Sequence, residues 1–340
     1  MTTSPVAAVS GDRFEQRVRG VCPVVEVPFR ADESVDEDSF ARLADHVAGT
    51  GITSVMFPGF ASEFHKLIEA ERAALLAILI ERTAGRTPDS GRPASGRTES
   101  GVGPADGQAT GGIAVVAGVA DDATAVAVAS AERAVACGAA AINLLPPFRV
   151  TPSPAELRRH IETVSAAIAP TPLILQHAPA LTGVPIDAPA IAAIARRVPN
   201  LRMVKVEAVP PGAFISALRR TDPALPAMVG YGGVMLPDAL RRGAVGVQPG
   251  CSFVEVYVRI WDLWHAGQQQ RAEALHRRAL PYLAYWMQSI DLIVAAEKAI
   301  SARRGLIATE ICRHPRRELD EQERHDIDRF MTEFADLLGI

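Results

Sequence analysis

Eight short runs rich in β-branched residues recur between positions 21 and 250, each followed by a longer stretch rich in Ala, Leu, Arg and Glu. They read VCPVVEVPF (21–29), ITSVMFP (52–58), IAVVAGV (113–119), AAINLLPP (140–147), PLILQHAP (172–179), LRMVKVEAV (201–209), PAMVGYGG (226–233) and AVGVQPG (244–250). Near-continuous apolar runs of this length suit strands buried on both faces. The stretches between them carry apolar residues at helical spacing, as in EAERAALLAILIERT (69–83). Strand–helix units that stop after eight predict an α/β fold of the (β/α)8 TIM-barrel type, spanning 21–250. A doubly wound open sheet is the alternative that the pattern alone leaves open.

The remaining segments lie outside this rhythm. Positions 1–20 read as a flexible N-terminal segment. Positions 84–112 hold Gly, Pro, Ser and Thr with almost no apolar residue, and read as a disordered surface insertion within one domain. Such a composition buries too little to offset the entropy lost on ordering. From 251 to 340 the pattern is helical, giving a C-terminal helical extension in four stretches: 253–267, 270–288, 290–305 and 320–339. The last opens on acidic residues, which a helix N-terminus favours. Trp261, Trp264, Tyr285 and Trp286 are expected in an aromatic core or a subunit contact.

With 340 residues, a formal net charge of -4 and no basic stripe, the chain offers a nucleic acid little to bind. The N-terminus meets acid and base before any apolar run develops, so it does not read as a signal peptide, and no later stretch reaches the roughly 18 apolar residues of a membrane span. The four cysteines, Cys22, Cys137, Cys251 and Cys312, form no CxxC, and the histidines no cluster. The expectation is a cytoplasmic protein with no metal and no bound cofactor.

Lys205 is the residue that most suggests chemistry. It interrupts an apolar strand near its C-terminal end, where barrels place their active sites. Desolvation disfavours the charged form of an amine, and the neutral form attacks carbonyls. Glu207 lies two positions on and faces the same way, so a lysine–glutamate pair, a proton-transfer role or both are open. Gln176 and His177 end the fifth strand and point oppositely, so one of the two enters the barrel; His177 is a candidate for proton transfer. The turn GFASE (59–63) precedes a helix, and Gly59, Ala61 and Ser62 are candidates to cradle a carboxylate. Gly230, Gly232 and Gly233, then Gly246, Val247 and Gly250, end the last two strands, where backbone can approach a ligand closely. Asp121 and Asp122 look like helix caps.

The order of these motifs resembles the dihydrodipicolinate synthase and N-acetylneuraminate lyase superfamily. The resemblance runs from VEVPFRADESVDEDSFARLADHVAGTGITSVMFPG through GFASEFHKLIEAER, VVAGV, INLLPPF, LILQHAPALTGV and MVKVEA to GAVGVQPG. It implies a barrel that binds a 2-oxo acid such as pyruvate as an imine on Lys205, with the carboxylate near Ala61 and Ser62. The covalent imine would stand in for a cofactor, and a homodimer or homotetramer would be usual.

The departures redirect the expected reaction. The family's Tyr-Asn-x-Pro on strand five is Gln176-His177-Ala178-Pro179 here, and an amide cannot relay protons as a phenol does. Phe148 and Phe60 replace a tyrosine and a threonine of the same relay, and Leu181 replaces an arginine that holds the synthase's second substrate. The pattern looks more like a divergent branch resembling 2-keto-3-deoxy sugar-acid dehydratases. On that reading Lys205 carries the imine, Glu207 or His177 moves the proton, and Gly59, Ala61, Ser62, Gln176, Gly232, Gly233 and Val247 contact substrate. His65 would help hold the acid, and Arg304 would serve packing. The alternatives are a pyruvate-dependent aldolase with an apolar or aromatic aldehyde, and a catalytically silent 2-oxo-acid-binding protein.

Overall fold

The computed structural model describes residues 11–86 and 112–340. Most of the insertion at 84–112 therefore lies outside the described residues, as does the start of the segment at 1–20.

Eight strands form one parallel sheet: β1 (Gly20–Val21), β2 (Ser54–Phe57), β3 (Ala114–Val119), β4 (Ala141–Leu144), β5 (Leu173–His177), β6 (Leu201–Val206), β7 (Ala227–Val229) and β8 (Gly246–Val247). From β2 to β8 each strand pairs with its sequence neighbour, and β8 pairs with β1. Beyond β1 the chain reaches β2, where Met56 donates to Pro23 O at 2.8 Å and Val25 donates to Met56 O at 3.0 Å. The circle closes there, so the barrel is the observed form and the open sheet is excluded.

The period-two alternation of strands sorts residues into two shells. Outward side chains such as Val204, Val206, Leu173 and Leu175 pack against the surrounding helices. Inward ones stack in layers. The lower layer is apolar: Val116, Ala141, Ile174, Met203 and Met228 fill the barrel with Cys22 and Met56. Two residues further along the same strands, Asn143, Gln176 and Lys205 make a buried polar layer. Apolar filling below and polar groups above is what turns one end of a packed barrel into a mouth.

Residues 11–18, within the segment expected to be flexible, form a helix instead. Helix α1 (Gly11–Val18) drops Phe14 and Val18 into the lower layer and plugs the barrel's base. Arg202 on β6 pairs with its Glu15 at 3.3 Å. The inward apolar side chains of that layer would otherwise meet water, which accounts for the helix despite its polar composition.

The surrounding helices start where local chemistry directs. α2 (Glu37–Ala48) is capped by Asp36, whose carboxylate accepts from Ser39 N. The expected capping by Asp121 and Asp122 is not found: α4 (Thr124–Cys137) follows Ala123 without a side-chain cap. Asp122 instead accepts from the backbone of Phe148 at 2.9 Å and Arg149 at 3.2 Å, tying down the loop after β4. An acidic side chain satisfies exposed N–H groups equally well in either place, so sequence alone does not choose. After α3 (Glu69–Thr83), Arg86 pairs with Asp45 at 2.5 Å.

α5 (Pro154–Ile168), α6 (Pro179–Thr182), α7 (Ala188–Arg197), α8 (Pro211–Thr221) and α9 (Leu236–Arg241) follow along the barrel. The C-terminal extension contains α10 (Val254–His265), α11 (Gln269–Trp286), α12 (Ile290–Arg303) and α13 (Glu321–Glu333). Trp286 and Trp264 are buried, Trp286 packing with Phe253 and Phe330, whereas Tyr285 is exposed. Arg304 holds Glu255 at 2.6 Å and the Leu338 carbonyl at 3.1 Å, a packing role as expected. α12 matters most for the site, because it crosses the mouth.

Candidate active site

Lys205 is 5 % exposed and points into the mouth from the end of β6. Its Nζ lies 3.2 Å from Glu207 Oε1. The same oxygen accepts from Tyr231 N at 3.2 Å, while Oε2 accepts from Gln176 Nε2 at 2.6 Å. Gln176 is oriented in turn by Asn143, whose Nδ2 donates to Gln176 Oε1 at 2.7 Å. A fixed chain therefore runs from Asn143 through Gln176 and Glu207 to Lys205. Burial opposes the Glu207 charge, but Lys205, the Gln176 amide and the Tyr231 N–H together hold its carboxyl below the usual range. The carboxylate is ionised at neutral pH, and it needs room: a Cβ on Gly230 would collide with it.

Above this pair opens a cavity of about 320 Å³. Lys205, Glu207 and Gln248 line it beside Phe60, Ala61 and Leu181, with Tyr231 and Gly232 at one rim. Met287, Ile290, Ile293 and Glu297 face them from the C-terminal extension.

The sequence candidates divide. Lys205, Glu207 and Gln176 converge, and Ala61 and Gly232 reach the cavity. Ser62 is fully buried and its hydroxyl is committed: it donates to Val25 O and accepts from Gly59 N at 3.0 Å. Gly59 and Ser62 thus shape the turn from below. Gly233 packs against Tyr257 and Val247.

Two candidates sit on the wrong face of their strands. His177 points outward, its ring stacked on Phe214 at 4.1 Å. There it lines an outer groove, and burial lowers its pKa to about 4, so it is neutral at physiological pH. Val247 likewise belongs to the outer shell. Its neighbour Gln248 points inward, reaching Cys22 Sγ at 3.6 Å. One residue along a strand exchanges the faces, so both misplacements have one cause. His65 lies in a separate crevice with Phe64, Arg72 and Arg149. Phe60, Phe64 and Phe148 pack edge to face at 5.1 to 6.4 Å, so apolar contacts replace a hydroxyl relay on that side.

The sequence reading missed Glu297 and Glu26. Both are buried, and both sit in runs that look purely structural. The available signal was a charged pair, Glu297-Lys298, inside the small apolar run IVAAEKAI. Burial, then the nearby Glu26, raises Glu297 to about 8; burial raises Glu26 to about 7. Lys298 beside it is fully buried, pairs with Glu63 and lies 4.3 Å over the Phe29 ring. Glu63 also holds Lys66 at 2.8 Å.

Among the described residues no group of three or more His, Cys, Asp or Glu is placed to hold a metal, and no helix is long and apolar enough to cross a membrane.

Comparison with known proteins agrees with this architecture. Residues 101–334 match the model of the dihydrodipicolinate synthetase family. An L-2-keto-3-deoxyarabonate dehydratase of Azospirillum brasilense is 28% identical over 320 residues, covering 92% of this chain and 93% of its own length. A probable 2-dehydro-3-deoxy-D-pentonate aldolase of Escherichia coli is 22% identical, covering 93% and 97%. Among solved structures, dihydrodipicolinate synthase from Rhodopseudomonas palustris superposes with a TM-score of 0.79 at 24% identity, over 93% of this chain and 97% of that one. That likeness speaks for the fold alone; the matched sequence model carries the assignment further. The chain belongs to the dihydrodipicolinate synthetase family.

Proposed function

We propose that the protein is a Schiff-base lyase that dehydrates a 2-keto-3-deoxy sugar acid. The observation that carries this reading is the buried Lys205–Glu207 pair at 3.2 Å beneath a cavity of about 320 Å³. The pair supplies an amine and a base on the same side of a substrate carbon. Lys205 Nζ passes a proton to Glu207 and attacks the 2-oxo carbon; as the C–N bond forms, that proton and a second from Nζ move to the carbonyl oxygen, which leaves as water and restores the Glu207 carboxylate. The resulting iminium makes the C3 hydrogen acidic. Glu207 Oε1, already aimed at Nζ, takes that proton, and the C3 electron pair expels the hydroxyl on C4. Hydrolysis of the conjugated imine frees the lysine.

Three further features support the reading. Gln176 cannot exchange protons, but it fixes Glu207 in one rotamer. Lys205, the Gln176 amide and the Tyr231 N–H hold the carboxylate ionised against burial. The dehydratase of Azospirillum brasilense matches this chain along nearly its whole length. A retro-aldol reaction is the second reading, favoured by the apolar wall of Phe60, Leu181, Val209 and Ile293.

Borohydride reduction in the presence of pyruvate tests the first step. A mass adduct confined to Lys205, and absent from Lys205→Ala, is the expected result. Incubation with L-2-keto-3-deoxyarabonate then separates the chemistries: loss of one water supports dehydration, and release of pyruvate supports the aldolase. Binding of pyruvate without any adduct would refute imine chemistry.

A further inference from the structure

Dehydration requires an acid as well as a base, and the Asn143, Gln176 and Glu207 side chains layered with Lys205 do not supply one. Glu207 is ionised, while Gln176 and Asn143 are amides. The phenol and hydroxyl that the resemblance would lead one to expect are replaced by Gln176, Phe148 and Phe60. Two more titratable side chains line the cavity: the Tyr231 phenol at the rim, 41 % exposed and turned to donate to Met287 O at 3.3 Å, and Glu297, presented across the cavity by α12. Glu297 is 3 % exposed, lines the same cavity as Lys205 and rests against Gly250 at the end of the β8 turn. A Cβ on Gly250 would collide with both of its carboxyl oxygens. Backbone N–H groups of Cys251 and Ser252 face the carboxyl, yet Oε2 has no hydrogen-bond partner. A buried polar atom left unpaired at the wall of a cavity is unusual unless something entering the cavity completes it.

We infer that Glu297 is the catalytic acid of this site, donating its proton to the C4 hydroxyl that departs from the substrate imine. This assignment rests on the dehydratase reading above. The step balances: Glu207 gains the C3 proton, the C3=C4 bond forms as the C4–O bond breaks, and the Glu297 proton leaves with that oxygen as water. The two carboxyls then hold exchanged protonation states, which solvent restores after product release.

The surroundings explain how the acid keeps its proton. From the strand-one side Glu26 faces it, and from α10 and the turn before it come Tyr257 and Cys251, all acids. The cations nearby are already engaged: Lys298 on the same helix and Lys66 both serve Glu63, and Lys205 serves Glu207. Three carboxyls, of Glu26, Glu63 and Glu297, thus share a buried layer with two lysines, and burial there selects the neutral form for the ones left over. The base and the acid are separated by environment in the way acid–base pairs require.

Glu297→Gln tests the role, measured beside the wild type in three assays: borohydride trapping with pyruvate, deuterium exchange at the pyruvate methyl group, and dehydration of L-2-keto-3-deoxyarabonate across pH. The variant is expected to keep trapping and exchange, which need only Lys205 and Glu207, and to lose dehydration by about 100-fold or more. The alkaline limb of the wild-type profile, set by loss of the Glu297 proton, is expected to vanish. Glu26→Gln is expected to move that limb to lower pH, since removing a neighbouring negative charge eases ionisation of Glu297. Dehydration by Glu297→Gln within a few-fold of wild type would overturn the assignment and leave the dehydratase reading standing. Loss of trapping together with dehydration would also overturn it, by showing that Glu297 merely supports Lys205. A wild type that traps pyruvate but dehydrates nothing would refute the dehydratase reading, and this role with it.

Discussion

At the scale of single residues, the site turns on which way a strand residue points. Lys205 and Glu207 were legible together because a spacing of two keeps both on one face. His177 and Val247 were assigned to the mouth although their immediate neighbours, Gln176 and Gln248, occupy it. Nothing in an apolar strand flanked by polar residues marks which parity faces inward; the pairing with adjacent strands decides. Three substitutions probe the observed parity. Glu207→Gln is expected to retain the borohydride adduct while turnover falls by about 100-fold or more. Gln176→Ala, which removes a 2.6 Å hydrogen bond to the Glu207 carboxylate, should reduce turnover roughly tenfold while pyruvate is still trapped. His177→Phe should leave both within a few-fold, because the ring lies outside the barrel against Phe214. Steady-state kinetics with the trapping assay distinguishes the three.

At the scale of elements, the strand–helix alternation was readable because each unit repeats one period, and the helical extension because its apolar faces recur. What escaped were assignments that depend on distant partners. α1 looks like a polar leader until the barrel's base needs Phe14 and Val18. α12 looks like an ordinary packing helix until Lys298 meets Glu63, 235 positions away. That pair joins the extension to the turn after β2 in a fully buried setting, and Arg313 adds a two-pronged contact to Glu71 at 2.7 and 2.8 Å. Lys298→Met is therefore expected to destabilise the fold by about 3 kcal/mol, since it strands part of a buried carboxylate charge. Denaturant unfolding measures this directly. Lys66 still pairs with Glu63, so the fold should survive the change.

For the whole molecule, the buried carboxyls predict how stability follows pH. Glu26 and Glu297 are raised from 4.5 to about 7 and about 8. A group with a raised native pKa contributes fully below its unfolded value and loses that contribution as pH rises through the native one. Glu207, Glu255 and Glu71 are shifted downward and act in the opposite sense, losing their contribution as pH falls through their native values. Buried His177, His276 and His160 have lowered pKa values, His177 to about 4, so they add stability as pH rises toward their unfolded value of 6.5 and offset the two glutamates there. The thermal midpoint should therefore stay roughly level from about pH 5 to about 6.5 and decline from there toward pH 8. Glu26→Gln and Glu297→Gln should each flatten the alkaline decline, and thermal unfolding scanned across pH would show it.

The passage of α12 across the barrel mouth has a consequence for how the molecule comes into being. Val24 enters the cavity wall from the start of the barrel, Lys205 from its sixth strand, and Glu297 from a helix that follows the last strand. A chain released only as far as its eight strand–helix units carries Lys205 but lacks the wall that encloses it. The final quarter of the polypeptide thus completes the enclosure, and on the proposed mechanism it also brings the acid.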